Sequence, residues 1–410
     1  MSAENHSFKN ILIIIALLSL NIVEQAASVI TATIPGMAKT FTNVSLVNIE
    51  LITTVVSIFV TVFVLISGVI VKKIGQKQTA VLGLAIAAIS SIIPAFSNSF
   101  TLIMVSRAVL GIGIGLANPL AISLIGVFFY GDQRATLMGW RSAIAGVGTA
   151  IMTYVAGQLL NINWHAAYWV YLLFIPTLLL FVFFVPDPQK SGALKRQAEH
   201  QAALEADATA NGVTIKKNPI WLIVILTALT FLVLIAIMVL AVKLPTFFVE
   251  NKIGTATQAS TAWSIYNFAS VIGGFLFGIT YKLTHKFILP LGLFLLGLGV
   301  IALSHATSVT VIYGLCIFMG IVGAMIIPFI FNRISEVATP QMAPLFTSIA
   351  LVGSNLGSFI SPYAGEIMGS TGKAAITSAG GLLLGLAILS VLVIFATKAK
   401  HSSHVTTPDL

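Results

Sequence analysis

Long apolar runs alternate with short polar breaks along the whole chain. Twelve runs can be marked, at roughly 10–34, 49–71, 78–96, 101–126, 137–160, 165–185, 219–245, 259–281, 287–306, 308–331, 342–367 and 372–396. At 1.5 Å per helical residue, each is long enough to cross a hydrocarbon core of about 30 Å. The pattern predicts an all-α membrane protein with twelve crossing helices. The longest polar stretch, 186–218, separates the sixth run from the seventh and carries Lys190, Lys195, Arg196, Lys216 and Lys217. It reads as a linker between two six-helix bundles, 1–185 and 219–396, with a tail at 397–410.

The two halves repeat short patterns in the same order. Gly68 to Lys72 after the second run returns as Gly278 to Lys282 after the eighth. Gly111 with Pro119 in the fourth run returns as Gly320 with Pro328 in the tenth, and Ala156-Gly157 as Ala364-Gly365. The offsets are 210, 209 and 208 residues. Tandem six-helix repeats are a transporter architecture that places the substrate site between the halves near mid-membrane.

Composition supports the membrane reading: 58% of the 410 residues are hydrophobic and 8% are charged, against about 25% charged in a soluble domain. The net charge of +9 is explained by its distribution. With the N-terminus inside, sixteen Lys and Arg fall on the cytoplasmic side and four, Lys39, Lys243, Lys252 and Lys373, on the other. That bias puts both termini in the cytoplasm of a multi-pass plasma-membrane protein and removes support for a nucleic-acid partner. A cleaved leader ending near Ala26-Ala27-Ser28 would leave an odd helix count and break the match of the halves. Cys316 has no partner for a disulfide. No catalytic or nucleotide-binding motif is visible, and the His residues fall in loops, tails and segment ends, so neither cofactor nor metal is implied.

The strongest candidate chemistry lies in the first run. Asn21, Glu24, Gln25 and Ser28 are spaced i, i+3, i+4, i+7, which places them on one face of a continuous helix. A carboxylate at this depth costs roughly 2.5–3.5 kcal/mol on insertion scales, so Glu24 is expected to face a wet cavity and to bind and release a proton. Arg107, about 7 Å away in depth by helical rise, is the expected charge partner and would modulate Glu24 or meet substrate. The plainer reading is an ion pair that pins two helices. Asn21, Gln25 and Ser28 would line the cavity or hydrogen-bond between helices.

In the second half, Trp263, Tyr266, Asn267 and Ser270 share one helical face, and Asn355 and Ser358 could meet the same cavity. Interfacial packing is the alternative for each. Lys243 before Pro245 reads as a snorkelling anchor rather than a substrate contact. Pro119, Pro176, Pro328 and Pro362 lie within runs, and each frees a backbone carbonyl for a kink or gate.

Twelve helices in two halves with a charged linker resemble the major facilitator superfamily. The loop after the second run, Gly68-Val69-Ile70-Val71-Lys72-Lys73-Ile74-Gly75-Gln76-Lys77, is similar to that family's gating loop, with Lys72 where the family has an acid. Arg107 followed by Gly111, Gly113 and Gly115 fits the family's fourth helix. Gly146, Gly148 and Gly157 fit its glycine-rich antiporter motif in part, without the proline. The resemblance implies a non-enzymatic secondary transporter, expected to act as a monomer on a small-molecule substrate with protons. A mostly apolar cavity suits an amphipathic organic solute. Proton-coupled efflux is the leading expectation; uptake or exchange of organic anions such as carboxylates or bile-acid-like amphipaths is the alternative. A non-transporting sensor is remote, because the linker and tail are too short for a soluble sensing domain.

Overall fold

A computed structural model describes residues 2–24, 26–129, 131–195, 220–337 and 343–402. Among them, eleven helices are long and apolar enough to cross a membrane, and a bent pair, Ile11–Val23 with Ala26–Thr40, makes a twelfth. The second to sixth spans are Leu46–Ile74, Gln76–Ala95, Phe100–Phe128, Thr136–Leu159 and Ala166–Phe184. The seventh to twelfth are Ile220–Glu250, Ala256–Thr284, Ile288–His305, Val309–Ile334, Leu345–Met368 and Gly372–Leu392. The turns at 41–45, 160–165, 251–255, 306–308 and 369–371 share one end of the bundle, here the far end; residues 186–195, after the sixth span, are at the near end.

Local chemistry sets the span ends. Ser45 and Ser99 accept hydrogen bonds from the backbone N–H of Asn48 and Leu102, capping the second and fourth spans. Thr255 and Gln258 form a reciprocal capping box on the eighth. Gly75, at φ +88°, ends the second span and starts the third in one residue, a left-handed backbone that favours glycine.

The buried apolar side chains form two clusters. One runs from Ala16 to Val185 and adds Val242; the other runs from Ile223 to Ala387. The internal repeat is visible in their packing. A Cβ on Gly111 would strike the Val56 carbonyl oxygen, and one on Gly320 would strike that of Tyr266, 210 residues after Val56. Small residues thus let the fourth span close on the second, and the tenth on the eighth, in the same register.

Proline treats the repeats differently. Pro35 in the first span and Pro245 in the seventh are also 210 residues apart. The seventh span stays α-helical through Pro245. The first does not: its α-helix ends at Glu24, and Ala26–Thr33 is a 3-10 segment before Pro35 begins a new helix, with a bend of 45°. The sixth span opens with a 3-10 turn, Ala166–Leu173, before Pro176, and the tenth breaks between Gly323 and Ile326 before Pro328. Pro119 and Pro362 sit inside unbroken helices.

Candidate functional site

The break in the first span corrects the expected stripe. A face at i, i+3, i+4, i+7 requires 3.6 residues per turn throughout, and a 3-10 segment has three. Asn21 lies on the α-helical side of the break and Ser28 on the 3-10 side, so these two do not share the face of one continuous helix. Gln25 and the side chain of Glu24 lie outside the described residues. Asn21 is fully buried, and its amide nitrogen donates to the Leu18 carbonyl at 3.0 Å. Its Oδ1 meets no donor among the described residues. Ser28 is half-buried.

Arg107 holds the break in place. It is fully buried in the fourth span. Nη2 donates to the Ala27 carbonyl at 3.0 Å, Nε to the Ile52 carbonyl at 3.1 Å, and Nη1 to the Tyr171 hydroxyl at 3.1 Å. Tyr171 in turn donates to the Ala26 carbonyl at 2.7 Å, and its ring centroid lies 5.5 Å from the guanidinium carbon. Carbonyls released by a broken helix inside a membrane need new donors, and the guanidinium fork and a tyrosine supply them. The residue therefore ties the first, second, fourth and sixth spans together. Three of its nitrogens already face oxygens, so it is a charged tie within one half.

The second-half candidates on the eighth span lie away from its exposed face, and Trp263 and Tyr266 are buried in the core of their own half. Phe268, Ile272, Phe275 and Ile279 form the exposed face of the eighth span, and Trp263, Tyr266, Asn267 and Ser270 lie on the opposite side. The Trp263 and Tyr266 rings stack at 4.6 Å with 4° between planes. The buried Trp263 indole N–H meets no acceptor among the described residues. Asn267 and Ser270 donate to the Trp263 and Asn267 carbonyls of their own helix. Ser358 is buried and bonds back to the Ser354 carbonyl, and Asn355 is half-buried one turn before it.

Two seams join the halves toward the far end. On one, the fifth span meets the eighth: Ser264 donates to the Ala150 carbonyl at 2.6 Å and Ser260 to that of Thr153 at 2.7 Å. Thr257 and Asn161 meet at the rim. A side chain at Gly157 would strike Ser260, and one at Gly146 would strike Val271, so the partial glycine motif serves close approach here. On the other seam the second span meets the eleventh, with Thr54 donating to the Phe359 carbonyl at 3.4 Å. Thr54 and Ser264 are 210 residues apart, and Ala150 and Phe359 are 209 apart. The two seams are copies of one another.

At the next turn the copies differ. The position equivalent to Ser260 is Glu50, whose Oε1 lies 2.8 Å from the Lys243 Nζ of the seventh span. The Glu50 side chain is 0% exposed and that of Lys243 7%. Apart from Lys243, neither carboxylate oxygen meets a donor among the described residues. The snorkelling expectation for Lys243 fails: its stem runs across Gly365, where an added Cβ would come within 3.1 Å of Cε, and its ammonium ends on a buried carboxylate. Sequence reasoning passed over Glu50, because a run starting at residue 49 leaves it at a helix start, an ordinary place for an acid. The helix starts at Leu46 instead and carries Glu50 a turn deeper.

The loop after the second span stays within its own half. Lys77 donates to the Val182 carbonyl at 2.8 Å, Gln76 to Ser123, and Gln78 to Asp187. Lys72 and Lys73 are exposed. Gly75 is required by its backbone, whereas a Cβ on Gly68 would meet nothing within 4 Å. Among the described residues no cluster of His, Cys, Asp and Glu could hold a metal.

Comparison with known proteins fits this architecture. The family model described as Major Facilitator Superfamily matches residues 14–250 and 226–409. Multidrug transporter protein MdtP of Bacillus subtilis is 29% identical over 189 residues, 45% of this chain and 34% of that protein. Quinolone resistance protein NorA of Staphylococcus aureus is 26% identical over 125 residues, 30% of this chain and 32% of that protein. The matches thus span about a third of those relatives' length. The crystal structure of a D-xylose-proton symporter superposes with a TM-score of 0.74 at 15% identity, covering 93% of this chain and 97% of that one. That likeness speaks to the fold alone.

Proposed function

The chain belongs to the Major Facilitator Superfamily, and on that footing we propose that this multi-pass membrane transporter exports a small amphipathic organic solute in exchange for protons. Residues 1–185 would rock against 219–396, with both termini and the linker in the cytoplasm and the far end outside. The protein would work as a monomer in the plasma membrane.

The observation that carries this reading is the placement of the inter-half contacts. Four hydrogen bonds and an ion pair join the halves in the far-end part of the bundle. At the near end, the loop after the second span bonds only inward to its own half among the contacts described. Such an arrangement is closed outside and separable inside, one of the two states that alternating access requires. The names of MdtP and NorA, a multidrug transporter and a quinolone resistance protein, support export of organic compounds.

Glu24 is our candidate for the proton-binding group, with Arg107 shaping its surroundings through the break. The organic-anion alternative needs a free cation facing the cavity. Arg107 donates to three oxygens and Lys243 faces Glu50, so neither favours it. Proteoliposomes carrying the full chain test the proposal with ethidium and taurocholate as probes, under an imposed pH gradient or an imposed potential. Ethidium movement driven by the pH gradient and lost in Glu24→Gln is expected. Taurocholate movement without ethidium movement would establish the anion reading. Ethidium transport in Glu24→Gln that still follows the pH gradient would remove Glu24 from the mechanism.

A further inference from the structure

We propose that Glu50 and Lys243 form a charge-compensated gate at the far end, closed while each balances the other and opened when either charge stands alone. The inference rests on the orientation and alternating access proposed above.

The argument starts from the repeat. Both seams carry one hydroxyl-to-carbonyl bond at equivalent positions, Thr54 to Phe359 and Ser264 to Ala150. One turn toward the rim, the fifth–eighth seam repeats that neutral chemistry with Ser260 against Gly157. The second–eleventh seam has Glu50 there, and Lys243 crosses Gly365, the counterpart of Gly157. Counting back 210 residues from Lys243 gives Thr33, so both charges sit where the other repeat is neutral. Packing of the repeat therefore does not demand them.

The two charges belong to different halves and must separate if the far end opens. Together they are held at 2.8 Å, out of water and with little other support. Removing two charges from water nearly cancels their attraction, so such a pair is finely balanced, but one charge left alone in the same place is strongly disfavoured. Opening the seam to water relieves that penalty. The other charged groups nearest Glu50 are Glu250 and Glu366, at the exposed ends of the seventh and eleventh spans; Glu250 accepts the Gly372 N–H. The pair acts as a positioning device for the transport cycle, while the neutral seam closes passively.

The test uses the full chain in cells with a membrane-impermeant maleimide. The native thiol, Cys316, is buried. Asn43→Cys in an exposed far-end turn reports orientation and insertion. Thr54→Cys, one turn below Glu50 in the buried seam, reports opening. The expected result is slow labelling at position 54 in the otherwise native chain and labelling about tenfold faster with Glu50→Gln or Lys243→Gln, as a shifted two-state equilibrium gives. Slow labelling should return in Glu50→Ser/Lys243→Thr, which copies the neutral repeat. Single variants that label as slowly as the native chain, or a double variant that labels as fast as the singles, would overturn the gate. If Asn43→Cys resists labelling from outside, the orientation fails and not the gate. The same comparison then runs in inside-out vesicles and decides the gate by the same two outcomes.

Discussion

The two seams between the halves are built on one plan and closed by different chemistry. The fifth–eighth seam uses serine hydroxyls, main-chain carbonyls and glycines. The second–eleventh seam keeps one such bond and then substitutes a buried carboxylate and a lysine from the seventh span. Neutral bonds of this kind each contribute about 1 kcal/mol and are readily exchanged for water. An ion pair contributes little net stability, yet losing one partner is severe. The difference teaches where control resides: in the seam whose closure depends on a balance of charge. Arg107 supplies the contrast within one half. It is as buried as Glu50, but its oxygens are neutral and all on its own side of the interface, so nothing in a rocking motion asks it to let go.

This contrast gives ordered expectations. Arg107→Ala should have the largest effect, about 4 kcal/mol of stability, because it removes the donor to the Ala27 carbonyl at the break, empties a buried site and cuts the tie to Ile52 and Tyr171 inside the membrane. Thermal unfolding of the purified protein would show it. Arg107→Lys should recover only part, since an ammonium cannot span the three acceptors of a planar fork. Next is the neutral copy, Glu50→Ser/Lys243→Thr. Its stability in thermal unfolding should be unchanged or higher, by up to roughly 1–4 kcal/mol, while ethidium turnover falls because the gate has lost its charge dependence. A large loss of stability would mean that the pair is a structural brace. Ser264→Ala on the neutral seam comes third. Loss of its bond to Ala150 should cost about 0.5–1.5 kcal/mol, with slight seam opening by thiol labelling and little change in transport.

The smallest effect lies at the near end and depends on pH. Gln78 donates to Asp187 at 2.9 Å and holds its carboxyl below the usual value of 3.8. A depressed carboxyl stabilises the fold above its unfolded value, and the gain disappears as pH falls through the folded one. Asp187 is half-buried at the near-end surface, so solvent partly screens the contact. The melting difference between the native chain and Gln78→Ala should be slight at neutral pH and fade as pH falls below about 3.8.

The sequence made the membrane fold legible because apolar length and polar breaks are local signals. The shared face of Trp263, Tyr266, Asn267 and Ser270 follows from one helical period; that Trp263 and Tyr266 are buried in their own half's core does not. The stripe from Asn21 to Ser28 failed where Pro35 and the freed carbonyls of Ala26 and Ala27 changed the local geometry. The proline was visible, but the donors that stabilise the break, Arg107 and Tyr171, come from the fourth and sixth spans and meet backbone atoms that carry no residue signature. Glu50 and Lys243 are 193 positions apart, and each looks ordinary where it stands. Their meaning appears only when the seventh span is laid beside the second. The repeat offset is the signal that could have helped, since it aligns Glu50 with Ser260 and Lys243 with Thr33.

The central claim is that a charge pair between the halves sets far-end closure, whereas the buried arginine within one half does not. Spin labels at Asn43→Cys and Thr307→Cys, in exposed far-end turns of the two halves, read that closure as a distance distribution in lipid nanodiscs. The account predicts one short distance in the native background, a longer population in Glu50→Gln, and the native distribution in whatever fraction of Arg107→Lys folds. An unchanged distribution in Glu50→Gln, or the same lengthening in Arg107→Lys, would contradict it.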